Sequence, residues 1–392
     1  MRKFVVWAIF FFFGFSFYSC AQDRSVIVGA ERTDQYLLKM KGKKVGLIVN
    51  HTSLVQEKHL VDFLLENEIE IVQIFSPEHG FRGNADAGEE IDSGKDVRTG
   101  IGIFSLYGKN RKPTPESLSD LDLLVFDIQD VGCRFYTYIS TLHYVMEAAA
   151  ENGKPLLLLD RPNPNGDYVD GPVLEDGFKS FVGMHPIPIV HGCTVGELAR
   201  MINGENWLNE GRRCDLEIIP LLNWDHNQHY SLPGKPSPNL PNDRSIRLYP
   251  SLCFFEATDV SVGRGTKFPF QVIGAPRNNL GEFTFTPQSI PGMAKNPLHE
   301  NQVCYGIDLR EMQFSQIPKF TLSYFLDFYH KYENKSEFLI RERWFNLLAG
   351  TGQLLADIRA GKNEPEIRAS WKPALEKYKL MRKKYLLYPD FK

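Results

Sequence analysis

Short apolar runs alternate with segments of helical spacing along the first half of the chain, and this alternation constrains the fold more than any other feature. The runs occupy residues 44–49, 70–75, 121–128 and 155–159. Apolar side chains recur at helical spacing in the intervening residues 56–67 and 138–152. Strands that are apolar along their whole length are typical of parallel sheets covered by helices on both faces. We therefore predict an α/β fold with a Rossmann-like, doubly wound and mainly parallel sheet.

Helical spacing returns in the C-terminal third of the chain. The predicted helices there are residues 322–332, 344–360 and 364–388. A segment rich in Pro, Asn and Ser, residues 231–243, precedes them and predicts an ordered loop. The chain is longer than one compact core usually holds. We therefore predict a Rossmann-like N-terminal domain over residues 25–211 and a smaller C-terminal α/β domain over residues 212–392 that completes a cleft.

Residues 1–20 have the features of a secretory signal. A charged start is followed by an apolar run at residues 4–17, which is shorter than the roughly 20 residues that a membrane-spanning helix needs. Ser19 and Cys20 form the small-residue and cysteine pair of a lipoprotein signal, so we predict a lipid anchor on Cys20 and a location on the periplasmic side of the cell envelope. Cleavage after Ala21 is the alternative, and it would release a soluble secreted protein.

Charge, cysteine spacing and motifs argue against several functional classes. The formal net charge is -3 and the basic residues are scattered, so the chain lacks the basic patch of a nucleic-acid-binding protein. The six cysteines are widely spaced and never form CxxC, which argues against a zinc site and a dense disulfide framework. Neither HExxH nor a GxGxxG after the first strand is present. We predict that the protein uses no metal and no cofactor.

Polar residues follow the predicted strands at the sheet edge where an open α/β sheet has its working cleft. They are Glu78, His79, Arg82 and Glu89 after the second strand, Asp127, Asp130, Arg134 and Tyr136 after the third, and Asn163 after the fourth. Carboxylates, arginines, amides and aromatic rings together suit a saccharide, because hydroxyls need planar donors and acceptors and sugar faces pack on rings. This composition predicts a carbohydrate site.

Each carboxylate has a catalytic and a structural interpretation. Glu78 follows Pro77 on a strand-exit loop and suits a general acid, although a turn cap or a pair with Arg82 would explain it equally. Asp127 and Asp130 suit a base or a hydroxyl acceptor, but aspartates at strand ends often accept from loop N–H groups or pair with an arginine. Glu89 lies on a glycine-containing loop, where it is either solvated or the second carboxylate of a glycosidase.

Six sequence blocks appear in order along the chain. They are SPEHGFRG (76–83), DAGE (86–89), FDIQDVGCRFYTY (126–138), DRPNPNG (160–166), SPNLP (237–241) and FFEATDVSVGRGT (254–266). Together these blocks resemble the exo-β-N-acetylmuramidase (NamZ/YbbC) family of peptidoglycan glycoside hydrolases. The resemblance implies an active cleft between two domains and release of terminal N-acetylmuramic acid from the non-reducing ends of peptidoglycan fragments. A non-catalytic envelope lipoprotein that binds wall sugars is the alternative.

The resemblance also implies roles for individual residues. It identifies Glu78 with the family's catalytic-site glutamate, which we interpret as the general acid, and Glu89, Asp127 or Asp130 would complete the site. The lactyl carboxylate of muramic acid would pair with Arg82, Arg134 or Arg264, since a guanidinium binds a carboxylate through two hydrogen bonds. The remaining predicted substrate contacts are His79, Tyr136, Asn163, Asn239 and Glu256. Retaining, inverting and substrate-assisted mechanisms are all compatible with this set.

Overall fold

The computed structural model describes residues 25–78, 80–81 and 94–391. The strands are β1 (Val45–Val49), β2 (Leu54–Val55), β3 (Lys58–His59), β4 (Ile71–Ser76), β5 (Gly94–Lys95), β6 (Gly102–Ser105), β7 (Leu123–Asp127), β8 (Leu156–Leu159), β9 (Asp170–Val173), β10 (Pro188–Val190), β11 (Leu216–Ile219), β12 (Val272–Ala275), β13 (Phe283–Phe285) and β14 (Cys304–Asp308). The α-helices are α1 (Thr33–Met40), α2 (Leu60–Glu66), α3 (Pro115–Leu118), α4 (Tyr138–Glu151), α5 (Val195–Gly204), α6 (Asp243–Leu252), α7 (Ser323–Lys331), α8 (Lys335–Phe338), α9 (Glu342–Ala349), α10 (Gln353–Arg359) and α11 (Glu364–Arg382).

A seven-stranded sheet with the order β11-β8-β7-β1-β4-β6-β5 forms the N-terminal part. Its neighbouring strands are parallel, apart from β5, which runs antiparallel to β6. The four apolar runs of the sequence correspond to β1, β4, β7 and β8, so the predicted α/β class with a mainly parallel sheet is confirmed. Strand β11 comes after residue 211, where we place the domain boundary, yet it pairs with β8. The segment that contains β11 therefore belongs with the large sheet.

Apolar side chains cover both faces of this sheet. In β1, Val45, Leu47 and Val49 face one buried cluster, whereas Ile48 faces the other, as the alternation of side chains along a strand requires. The cluster that contains Ile48 continues into the C-terminal half. There the Phe345 ring lies 5.2 Å from that of Phe254. The two halves of the chain therefore share a core.

The C-terminal half combines helices α6 to α11 with a small antiparallel sheet of order β12-β14-β13. The predicted helix 344–360 is wrong as a single element, because it is divided into α9 and α10. Gly350 ends α9 with a left-handed φ of 76°, and a Cβ at this position would lie 2.6 Å from the Arg134 guanidinium. The sequence does not predict this break, because apolar residues keep helical spacing on both sides of Gly350.

Among the described residues, no helix is both long enough and apolar enough to cross a bilayer. The predicted signal at residues 1–20, including Cys20, lies outside the part of the chain that the structure describes.

Candidate active site

A cavity of about 980 Å³ lies beyond the carboxyl ends of β4, β6 and β7. Loops after these strands form one wall, and the C-terminal half of the chain forms the other. Of the predicted site residues that the structure describes, five line it: Glu78, Tyr136, Asn239, Glu256 and Arg264. Its volume lies near the upper end of the range for small-molecule sites, so it has room for more than a single small group.

Glu78 lies two residues after the end of β4 and is held from two directions. The Thr137 hydroxyl donates a hydrogen bond to Glu78 Oε2 at 2.8 Å. The Tyr138 hydroxyl donates to the backbone oxygen of Glu78 at 3.5 Å. Because Thr137 directly precedes α4, the Glu78 carboxyl lies at the amino end of that helix. The carboxyl is therefore fixed at the cavity wall by residues of the block that follows β7.

Tyr136 and Tyr138 form an aromatic floor beside Glu78. Their rings meet edge to face at 4.9 Å. The Tyr136 hydroxyl donates to the Pro236 backbone oxygen at 2.8 Å, which attaches the loop at residues 231–243 to this floor. Burial, reinforced by the neighbouring Tyr138, raises the pKa of Tyr136 well above its ordinary value. Burial and the Glu78 charge do the same for the pKa of Tyr138, so both phenols stay protonated and act as hydrogen-bond donors.

Arg264 and Glu256 form an ion pair on the opposite wall. Arg264 Nη2 donates to Glu256 Oε1 at 2.7 Å, and the guanidinium carbon lies 5.2 Å from the centre of the Phe270 ring. Burial acts to lower the pKa of Arg264, but the Glu256 carboxylate outweighs it and raises the pKa. Gly263 and Gly265 flank the arginine with φ near 78° and 79°, a conformation that favours glycine. The loop thus presents a permanently charged guanidinium to the cavity.

Asn239 supplies an unsatisfied polar group. Its side chain is 1% exposed, and its amide nitrogen donates to the Met293 backbone oxygen at 2.8 Å. Its side-chain oxygen is buried and has no hydrogen-bond partner within the described ranges. Since buried acceptors in folded proteins are nearly always satisfied, this oxygen suits a ligand donor.

Asp127 and Asp130 do not line the cavity. Asp127 is fully buried and forms a two-point ion pair with Arg161, from Nε to Oδ1 at 2.5 Å and from Nη2 to Oδ2 at 2.8 Å. Asp130 accepts from the Gly132 backbone N–H at 2.6 Å, and its Oδ2 lies 3.7 Å from His191 Nε2. Asp127 therefore accepts from an arginine and Asp130 from a loop N–H, which are the contacts that the structural interpretation of these aspartates predicts.

Arg134 and Asn163 also lie outside the cavity lining. Arg134 is fully buried, and its two terminal nitrogens donate to four backbone oxygens. Asn163 donates to the Cys193 backbone oxygen at 2.9 Å and accepts from the Asn165 backbone N–H at 2.8 Å. Both side chains therefore hold loops in place. His79, Arg82 and Glu89 lie outside the described residues.

The cavity also contains residues that the sequence reasoning missed. Thr137 belongs to the block FDIQDVGCRFYTY and is adjacent to Tyr136, so the sequence could have identified it as a site residue. Arg111 and Phe181 on one wall, and Arg341 and Trp344 on the other, lie outside all six blocks. No motif marked these four side chains.

Comparisons with known proteins agree with the fold and with the sequence blocks. The family models "Exo-beta-N-acetylmuramidase NamZ, N-terminal" and "NamZ, C-terminal" match residues 45–244 and 247–388. The peptidoglycan β-N-acetylmuramidase NamZ of Bacillus subtilis (strain 168) is 41% identical over 375 residues, which cover 90% of this chain and 89% of that protein.

Two crystal structures of DUF1343 family proteins from Bacteroides fragilis NCTC 9343 are similar along nearly the whole chain. The first has a TM-score of 0.87 and 48% identity, and covers 94% of this chain and 100% of its own. The second has a TM-score of 0.80 and 31% identity, and covers 93% of this chain and 99% of its own. The chain therefore belongs to the exo-β-N-acetylmuramidase NamZ family, as the resemblance of its sequence blocks predicts.

Proposed function

We propose that this chain is an exo-acting glycoside hydrolase that releases terminal N-acetylmuramic acid from the non-reducing ends of peptidoglycan fragments. One observation carries the proposal. The Glu78 carboxyl, which the Thr137 hydroxyl fixes in place, shares a large cavity with aromatic rings and with the Arg264 guanidinium that is paired with Glu256. The name of the Bacillus subtilis relative, a peptidoglycan β-N-acetylmuramidase, supports the same reaction.

Glu78 is the proposed general acid. Its Oε2 accepts from Thr137, so the proton to be transferred sits on Oε1. That proton passes to the glycosidic oxygen while the bond from this oxygen to the anomeric carbon breaks. A water molecule supplies the new hydroxyl at the anomeric carbon, and its other proton passes to a carboxylate: the partner of Glu78 in an inverting reaction, or the deprotonated Glu78 itself in a retaining one. Thr137 acts as a positioning residue because it fixes the rotation of the carboxyl.

A second acidic group is part of most glycosidase mechanisms. Among the described residues that line the cavity, Glu256 is the only other carboxylate, and its ion pair with Arg264 suits it to orienting that arginine. Asp127 is already bound by Arg161. We therefore keep Glu89, from the DAGE block that follows Glu78 along the chain, as the proposed partner of the general acid.

Arg264 is the proposed contact for the lactyl carboxylate. The terminal nitrogens of Arg134 are already bound by backbone oxygens and this residue does not line the cavity, whereas Arg264 lines it, uses one terminal nitrogen for Glu256 and has further N–H groups for a ligand. A guanidinium binds a carboxylate with charge-assisted hydrogen bonds. Because muramic acid has the lactyl carboxylate and glucosamine does not, this contact would distinguish the two sugars. The unsatisfied oxygen of Asn239 suits the acetamide N–H or a ring hydroxyl of the same sugar.

Defined peptidoglycan fragments test the proposed reaction. Fragments with N-acetylmuramic acid at the non-reducing end and a labelled reducing end are incubated with the purified protein, and the products are identified by mass spectrometry. We expect free N-acetylmuramic acid and fragments that are one residue shorter. Matched fragments that begin with N-acetylglucosamine should remain intact. Saturable binding without turnover would instead support the non-catalytic envelope protein.

We also propose that the protein works on the periplasmic side of the cell envelope, tethered by a lipid on Cys20. The features of residues 1–20 and the location of the proposed substrate support this. Metabolic labelling with a fatty-acid probe should mark the wild-type protein in the membrane fraction. Cys20→Ala should lose the label and leave that fraction. An unlabelled wild-type protein would contradict the anchor.

A further inference from the structure

The amino end of α4 lies at the cavity, and side chains of this helix point in two directions from it. Thr137, Ser140 and Tyr144 share one face because they are spaced by three and four residues. Tyr138, two residues before Ser140, points to the other side of the helix. The Glu78 carboxyl is bound at the amino end, on Thr137. Groups attached through the first face and groups attached through Tyr138 therefore lie on different sides of this carboxyl.

The side of Tyr138 leads to the ion pair. From Tyr138, ring contacts pass through Tyr136, Tyr249 and Phe270 at centre distances of 4.9, 6.0 and 5.0 Å. The Arg264 guanidinium lies over the last of these rings. This is the part of the cavity that the proposed function assigns to the muramic acid carboxylate.

The other face of α4 leads to a second group of side chains, which we call the aromatic arm: Tyr107, Arg111, Ser180 and Phe181. The Ser140 hydroxyl donates to the Phe181 backbone oxygen at 2.7 Å, and the Tyr144 ring stacks on the Phe181 ring at 6.3 Å. The Tyr107 ring lies 6.3 Å from the same ring, and the Arg111 guanidinium carbon lies 4.5 Å from its centre. All four arm residues line the cavity.

We propose that the aromatic arm binds the leaving saccharide, the aminosugar whose oxygen receives the proton from Glu78. This inference rests on the proposed function. A general acid must lie at the glycosidic oxygen, which joins the terminal N-acetylmuramic acid to the leaving saccharide. With the muramic acid carboxylate bound on the Arg264 side, the departing sugar lies on the side of the arm.

The chemistry of the arm matches a neutral aminosugar. Arg111 stacks on Phe181, and a stacked guanidinium keeps N–H groups at its edge for hydroxyl oxygens. The Ser180 hydroxyl is buried, and the described part of the chain offers it no hydrogen-bond partner. The Tyr107 ring supplies an apolar surface for a sugar face. Donors beside a ring are the combination that a pyranose with free hydroxyls requires.

Two substrates separate this subsite from the rest of the cavity. An aryl N-acetylmuramide lacks the departing sugar, whereas the disaccharide N-acetylmuramyl-N-acetylglucosamine contains it. In Arg111→Met, the ratio of kcat/KM for the disaccharide to kcat/KM for the aryl muramide should fall about tenfold, since a charge-assisted hydrogen bond is lost. Ser180→Ala should lower the ratio less. Lys109→Met is the matched control, because this exposed residue of the same loop does not line the cavity, and its ratio should equal that of wild type.

An unchanged ratio in Arg111→Met would overturn the subsite while leaving the hydrolase intact. A second measurement does not depend on turnover. Titration with methyl N-acetylglucosaminide, followed by NMR, should give binding to wild type that is several-fold weaker in Arg111→Met. If wild type cleaves neither substrate but this difference appears, the proposed function fails and the sugar subsite stands. Equal binding by wild type and Arg111→Met would refute the proposal that the aromatic arm binds the leaving saccharide.

Discussion

Arg134 joins the loop after β7 to the C-terminal half of the chain, and its replacement by methionine is expected to destabilise the fold strongly. Its Nη1 donates to the Pro172 and Ile187 backbone oxygens, both at 2.8 Å. Its Nη2 donates to the Leu348 and Ala349 oxygens at the carboxyl end of α9, at 2.8 and 2.7 Å. A cation at this end of a helix also interacts favourably with the helix dipole. Arg134 thereby fastens α9 to the loop that carries Thr137.

The magnitude follows from two opposing effects. Methionine fills a similar volume but donates no hydrogen bond, so each of the four carbonyl oxygens loses a hydrogen bond from a charged group, at about 2 kcal/mol per bond. In the opposite direction, burial lowers the pKa of Arg134 from its ordinary value to about 9. Removing a charge that burial disfavours to this extent stabilises the folded state by about 5 kcal/mol. The net loss of unfolding free energy should be about 3 kcal/mol.

Urea denaturation at pH 7 with linear extrapolation measures this loss. Arg134→Lys should lose less than Arg134→Met, since an ammonium retains the charge but cannot reach both pairs of oxygens. Arg343→Met is the matched control on α9, and because Arg343 is exposed its unfolding free energy should stay within about 0.5 kcal/mol of wild type. A difference below about 1 kcal/mol between Arg134→Met and wild type would refute the reasoning.

Three further substitutions test other contacts. Burial raises the pKa of Asp160 from 3.8 to about 6, so the folded state holds this proton more tightly than the unfolded state. The unfolding free energy should therefore fall by about 3 kcal/mol as the pH rises from 3 to 7, and Asp160→Asn should remove that decline in a denaturation series across pH. Tyr388→Phe removes a hydroxyl that donates to Asp160 at 2.6 Å and accepts from a buried N–H, and should lower the unfolding free energy by about 2 kcal/mol. The loss should be smaller in Tyr385→Phe, because the Tyr385 side chain is only half-buried and its hydroxyl makes a single hydrogen bond, to Glu205. Glu256→Gln should raise KM for an aryl muramide several-fold with a smaller change in kcat, because Arg264 loses its orienting partner; an unchanged KM would contradict this.

The strands that the sequence predicted correctly are those with continuous apolar runs. β1 and β7 are buried along their whole length, so burial on both faces is visible in their composition. β6 was missed because it is four residues long, begins with a glycine and is mostly half-buried. Tyr107 and Arg111 follow this missed strand, which explains why the sequence reasoning did not place the aromatic arm at the sheet edge.

Side-chain direction explains the rest of the difference at the site. The sequence indicates that Glu78 and Asp127 follow strands and that Arg264 belongs to the last of the six blocks, but not which of the three side chains enters a cavity. The partner of Asp127 is Arg161, 34 residues later, and a pairing at that separation depends on the order of strands in the sheet. The family resemblance offers Arg134 as one of three arginines for the lactyl carboxylate, yet backbone oxygens from both halves of the chain surround it.

Turnover of the disaccharide N-acetylmuramyl-N-acetylglucosamine by Glu78→Gln tests the central claim most directly, because its basic sugar leaving group requires a proton. Loss of the general acid should lower kcat by about 100- to 10,000-fold, while the thermal midpoint stays within about 2 °C of wild type. Glu116→Gln, at an exposed glutamate of α3, serves as the control and should retain wild-type kcat. Wild-type turnover by Glu78→Gln would contradict the assignment of the proton donor and, with it, the proposed mechanism.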